Sequence, residues 1–185
     1  MKKIIVFFLL ALFWMPFVMA QTTLKGNLQT ALLGIPNFGV ETVIGKKTTF
    51  QFDATASFWK SIDGKPYEFY LVFPEFRYYP KKAAEGFFVG AHVGGSKFKV
   101  QKWSYFNANY YQEGYGLLFG MTLGYQFQIN KLFNVELFMG GGNHTSFYKG
   151  YSISTNERLD PAKKYNKSGE IIPYRFGLML VYKLK

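Results

Sequence analysis

The residues best placed to do chemistry are His144 and Ser146, set two apart by the tripeptide His144-Thr145-Ser146. In an extended chain that spacing puts both side chains on one face, where an imidazole can take the proton of a serine nucleophile. A carboxylate would have to orient the histidine, and the nearest downstream acid, Glu157, falls in a loop. Counting alternate residues from Met139 turns both side chains inward, and only a bulge within Gly140-Gly141-Gly142 would turn them out. The pair stands as an alternative; the main expectation is a protein that is not an enzyme.

A larger group shares one strand parity: Lys25, Glu41, Asp53, Glu75, Arg77, His92, Glu136, Arg175 and Lys183. Paired carboxylates beside a histidine can act as general acid and base. Inside a narrow ring of strands they would instead have to pair with cations, because an unpaired buried charge is costly. The expectation is a polar network filling the interior, with His92 hydrogen-bonded within it. Glu75 and Arg77 are two apart on one strand, so both project inward.

A third group lies between Val100 and Gly114, where Lys102, Trp103, Tyr105, Tyr110 and Tyr111 crowd one connection. Exposed aromatics with lysines nearby can bind a glycan or a protein, or anchor a rim at the level of lipid headgroups. Two histidines and no cysteine leave no metal-ligand set, and neither a phosphate loop nor a dinucleotide fingerprint is present. No cofactor is expected.

Strands must position these groups. Beyond residue 20 the dominant period is two, and the clearest case is Tyr115 to Ile129. Leu117, Phe119, Met121, Leu123, Tyr125 and Phe127 alternate there with Gly116, Leu118, Gly120, Thr122, Gly124 and Gln126. The last strand, Tyr174 to Leu184, sets Tyr174, Phe176, Leu178, Leu180 and Tyr182 against Arg175, Gly177, Met179 and Val181. The remaining strands are expected at Leu24–Leu32, Phe38–Ile44, Thr48–Trp59, Tyr67–Tyr79, Gly86–Lys97 and Leu132–Thr145, which makes eight.

Connections alternate in length. Gly45 to Lys47, Pro80 to Glu85 and Asn130-Lys131 are short, whereas Val100 to Gly114 and Phe147 to Glu170 are long. An even-stranded barrel with both termini in the periplasm requires short turns on that side and longer loops outside. The expected fold class is therefore all-β, an eight-stranded antiparallel up-and-down transmembrane β-barrel over residues 21–185.

The first twenty residues have the form of a cleavable signal peptide. Lys2 and Lys3 precede an apolar run from Ile4 to Trp14 that is too short to span a bilayer as a helix. Val18-Met19-Ala20 then offers small residues for cleavage after Ala20, with no cysteine to take a lipid. The absence of cysteine also means that stability must come from a closed sheet or a membrane rather than disulfides. The formal charge is +11. Export and the lack of a basic helix or zinc pattern argue against nucleic acid, leaving loop solvation or the phosphates of lipopolysaccharide.

The polar face is rich in glycine and the apolar face is uniformly bulky, with Phe and Tyr near strand ends. That suits a filled interior and a lipid-facing exterior better than a lipocalin-like soluble barrel. Arg175, Gly177, Leu180 and Tyr182 resemble the C-terminal signal read by the outer-membrane barrel assembly machinery.

Several segments also resemble the recurrent ones of domain-of-unknown-function family 3575, small outer-membrane barrels of Bacteroidota-type bacteria. They are Asn27-Leu28, Ile35-Pro36-Asn37-Phe38-Gly39-Val40-Glu41, Gly45-Lys46-Lys47, Phe73-Pro74-Glu75-Phe76-Arg77-Tyr78-Tyr79 and Gly86-Phe87-Phe88-Val89-Gly90-Ala91-His92. The resemblance implies a barrel in the outer membrane and leaves the role open. The expected function is structural or interactive, with outer loops contacting lipopolysaccharide, a glycan or a partner protein. Two alternatives remain: a lipid-A-modifying hydrolase using His144 and Ser146, and a lipocalin-like carrier of small hydrophobic molecules. The carrier would require a side opening and an apolar interior.

Overall fold

Period-two alternation closes on itself in this chain: eight antiparallel strands form one ring, each paired with its sequence neighbours and the last with the first. The computed structural model describes residues 21–62, 64–102, 108–159 and 164–184. The strands are β1 (Thr22–Asn27), β2 (Asn37–Val43), β3 (Thr48–Ile62), β4 (Lys65–Tyr78), β5 (Gly86–Val100), β6 (Tyr111–Gln128), β7 (Phe133–Tyr151) and β8 (Asn166–Lys183). A single helix, α1 (Leu28–Leu32), follows β1. The signal-peptide reading of residues 1–20, together with Trp103 and Tyr105, lies outside the described residues.

The wall is uneven. β6 and β7 share eighteen register pairs, whereas β1 meets β8 over only five, from Thr23↔Lys183 to Asn27↔Met179. β1 stops early because the chain turns into a helix where a longer strand, Leu24–Leu32, is expected from alternation. Asn27 causes the turn: its Oδ1 accepts the Gln29 N–H at 3.0 Å, capping α1. Its Nδ2 donates to the Phe176 carbonyl at 3.2 Å, which ties the cap to β8.

Other boundaries differ from the sequence expectation, those of β7 and β8 most. β7 runs six residues past Thr145 to Tyr151, and β8 begins at Asn166 instead of Tyr174. The expected long loop is thus largely a hairpin whose polar residues pair in register, such as Ser146↔Ser168 and His144↔Glu170. The second difference is local. Gly140 pairs Arg175 while Gly141 pairs Pro173, so Tyr174 is an extra residue in β8. This bulge turns Tyr174 inward beside Arg175, although strict alternation places it on the outer face.

The interior is filled unevenly as well. Near the short turns Tyr79, Phe88, Phe138, Met179 and Val181 form a buried apolar cluster. Glycines on β5 and β6 leave the room that large side chains need. A Cβ on Gly124 would lie 2.5 Å from the Phe88 ring, and one on Gly94 2.6 Å from the Phe73 ring. The outer face carries bulky apolar side chains on every long strand, among them Phe52, Phe76, Phe87, Leu117, Phe119 and Leu178.

Candidate functional site

The charged residues of the interior parity meet in one buried layer that abuts the apolar cluster, with Glu136 opposite Met179 and Lys25 opposite Val181. β1 delivers Lys25, β2 Glu41, β3 Asp53, β4 Glu75 and Arg77, β7 Glu136 and β8 Arg175, and all seven are buried. Lys25 Nζ donates to Glu136 Oε2 at 2.5 Å and also pairs with Glu41. The Arg77 guanidinium donates through Nη1 to both oxygens of Glu136, at 2.9 and 3.0 Å, and its Nε lies 3.2 Å from Glu75 Oε1. Its plane covers the Phe88 ring at 4.2 Å, joining the charged layer to the apolar cluster beneath.

Arg175 forms the second half of the layer. It donates to Glu75 at 2.6 Å and pairs with Asp53, whose carboxylate also accepts from Gln51 at 2.9 Å. Glu41 is held further by the hydroxyls of Thr49, at 2.5 Å, and Tyr79, at 2.8 Å. Three cations (Lys25, Arg77, Arg175) thus face four carboxylates (Glu41, Asp53, Glu75, Glu136), a formal balance of 3 − 4 = −1. Nearly every charge has two or more partners, the arrangement that offsets desolvation in a dry interior.

His92 of β5 sits directly opposite Glu75 of this layer. Its Nδ1 is 3.0 Å from Thr122 Oγ1 and its Nε2 is 2.7 Å from Tyr174 Oη. Thr122 in turn accepts from Arg175 at 3.4 Å, so His92 joins the network through hydroxyls. Tyr174 stacks on Phe73 with ring centres 5.8 Å apart, and the Arg175 guanidinium lies over the same Phe73 ring at 4.6 Å from its centroid. Sequence reasoning missed Tyr174, because only the bulge brings it inside; the Pro173-Tyr174 step was the available signal. Lys183 lies apart, opposite Thr23 at the far end of β8.

His144 and Ser146 both point inward, as parity from Met139 requires. They do not bond one another. His144 Nε2 is 3.2 Å from Ser96 Oγ on β5, and Ser146 Oγ is 2.8 Å from Ser168 Oγ. Glu170 is the register partner of His144, yet its carboxylate accepts from Lys102 at 2.9 Å.

The expected interaction residues divide. Lys102 is the described member that reaches the rim, bridging to Glu170. Tyr111 is 3% exposed, stacked on Tyr151 with centres 5.4 Å apart and bonded to Asn156, so it is buried beneath the connection that follows β7. Tyr110 lies against Gly150, where a Cβ would strike its ring. Among the described residues no group of three His, Cys, Asp or Glu side chains could hold a metal ion.

Two cavities occupy the outer half of the interior. One, of about 220 Å³, has Asp53, Arg175 and Met179 at its base, Phe69, Leu71 and Phe73 of β4 along its wall, and α1 and Phe176 at its edge. The other, of about 190 Å³, lies between Phe98, Val100, Lys102 and His144, and again touches Phe69 and Leu71.

A family model described as "Protein of unknown function (DUF3575)" matches residues 4–184. No curated protein and no solved structure matches the chain.

Proposed function

We propose that this chain, which belongs to the DUF3575 family, is an integral outer-membrane β-barrel that does structural or interactive work rather than catalysis. The observation that carries the reading is the outward face. Phe119 is 69% exposed, and Phe52, Phe76, Phe87, Leu117, Met121, Leu137 and Met139 are exposed around the same circumference. In water a belt of this size would cost about 25 cal/mol for each Å² left wet, and monomeric soluble proteins avoid it. In hydrocarbon it costs nothing.

Its height suits a bilayer. Tyr125 and Tyr115 bound the apolar run on β6, and Tyr78 and Tyr182 stand near the ends of their own strands. The ten residue steps from Tyr115 to Tyr125, at ~3.4 Å each and a tilt of ~40°, rise about 26 Å, against ~25 Å for the apolar band of such barrels. Short turns then face the periplasm and the longer connections face outward. The buried charge layer blocks the interior near the periplasmic end, which argues for a plugged barrel rather than a conducting pore. The outer rim, with Lys99, Lys102, Lys149 and Lys167 over or beside aromatic rings, suits contact with lipopolysaccharide phosphates, a glycan or an acidic partner.

The test is heat-modifiability of the exported protein, extracted from the cell envelope in detergent and run on a gel with and without boiling. A compact, faster band that shifts on boiling, with a sheet-rich circular dichroism spectrum, is the expected result. A chain that stays folded and monomeric after detergent is removed would overturn the reading.

A further inference from the structure

We infer that the outer half of the interior is a binding site for a single hydrocarbon chain bearing an acidic head, entered from the side. The inference rests on the membrane placement proposed above and adds a ligand to it.

The first argument is the shape of the wall. β1 and β2 have six and seven residues, whereas β7 and β8 have nineteen and eighteen. Above Asn27 and Asn37 the ring therefore has no strand between β3 and β8, and α1 and the connection from Leu33 to Pro36 stand in the gap, with Trp59 of β3 donating to the Leu33 carbonyl at 3.2 Å. The larger cavity runs out through this gap. Its base holds buried Asp53 and Met179, and its edge holds Phe176, whose side chain is on the outer face and 60% exposed. The lining thus reaches from the buried charge layer to Gln29, Thr30 and Leu33 beside the gap.

The second argument is chemical. The side mouth is rimmed by apolar groups on the outside: Leu28, Leu33 and Phe176 are exposed and Leu32 is 89% exposed. A polar solute would gain nothing at such an entrance, but a lipid chain would leave one apolar medium for another. Inside, Phe69, Leu71 and Phe73 carry the apolar surface onward. Phe69 and Leu71 also line the second cavity, so the two spaces adjoin along one wall between the side gap and the outer rim.

The third argument is charge. The path ends beside Lys102, and Lys99 and Lys149 stand over the rings of Tyr111 and Tyr165 on the same rim. Below, the path stops at Asp53 and Arg175, which already satisfy each other. An acidic head therefore belongs at the rim and the chain belongs below it, which describes a long-chain fatty acid or a similarly charged single-chain amphiphile. Each methylene that leaves water tightens binding about fourfold.

The test uses hexadecanoic acid carrying a diazirine on its chain, photolysed with the exported protein in phosphatidylcholine vesicles, and peptide mapping of the labelled positions. Strand β4 supplies its own control, because Phe69 and Leu71 face inward while Tyr70 and Val72 face outward. The expected result is label on both faces, with the inward label alone competed away by unlabelled hexadecanoic acid. Leu71→Trp, which fills the shared wall, should lower label at Phe73 about tenfold by evicting roughly two methylenes, and leave Tyr70 and Val72 unchanged. Outward label without inward label overturns the binding site and leaves the membrane reading intact. No label on either face overturns both. Inward label that Leu71→Trp does not reduce, in a variant that still shows the compact gel band, also refutes the site.

Discussion

Replacing Arg77 with methionine isolates the energetics of the buried charge layer. Arg77 is fully buried and touches three carboxylates: two bonds to Glu136, one close approach to Glu75 and a looser one of 3.7 Å to Glu41. Methionine keeps most of the packing over Phe88 but removes the charge. Two cations then face four carboxylates, so the balance moves from 3 − 4 = −1 to 2 − 4 = −2. Breaking one side of a buried pair costs about 3–5 kcal/mol, which for a chain of this size lowers the unfolding midpoint by roughly 6–20 °C. Adding Glu136→Gln restores the balance to 2 − 3 = −1 and should recover more than half of the loss. The assay is the temperature at which the compact gel band disappears, read for wild type, R77M, E136Q and the double variant. A single-variant shift within ~2 °C, or a double variant no better than R77M, would show that the interior is wet enough to screen these charges and would refute the reasoning.

Three further outcomes follow from particular contacts. Gly124→Leu should block assembly, because its Cβ would lie 2.5 Å from Phe88 and 2.7 Å from the Leu137 carbonyl, whereas Lys164→Glu on the exposed connection should be neutral; band yield after envelope extraction compares them. Phe119→Arg should cost ~2–4 kcal/mol in a bilayer, measured by denaturant titration in vesicles, and near zero if that face met water. Tyr174→Phe should cost about 1–2 kcal/mol by leaving His92 Nε2 without its hydroxyl partner, while deletion of Tyr174 should still assemble, since removing the extra residue makes the Gly140↔Arg175 and Gly141↔Pro173 pairs consecutive; denaturant midpoints and the compact band test the two.

What could be read in the sequence was whatever a strict period of two encodes. β6 was legible because glycines alternate with bulky apolar residues for its whole length, and the same parity gathers Lys25, Glu41, Asp53, Glu75, Arg77, Glu136 and Arg175 on one face. Closure puts that face inside, so the charges meet. The misses occur where something other than period two decides. The Leu28 to Leu32 stretch alternates poorly but spaces its leucines four apart, and the Asn27 cap converts it to helix. β8 extends back to Asn166 because its polar residues are paired across a hairpin with β7, which no composition signal reveals. Tyr174 is displaced by a bulge. The side gap is the least legible feature, because it depends on the difference in height between strands that are not neighbours in the chain.

Lys25 has a consequence for the order in which the molecule is made. It sits on the first strand and bonds a glutamate 111 residues later, on the seventh. Until β1 meets β8, Glu136 stands apart from the Lys25 ammonium, which Glu41 on the neighbouring strand already shares. Five register pairs are a short seam, and the lysine supplies much of what draws it shut. The final act of folding is then an electrostatic latch: the ring can neutralise its own interior only by becoming a ring.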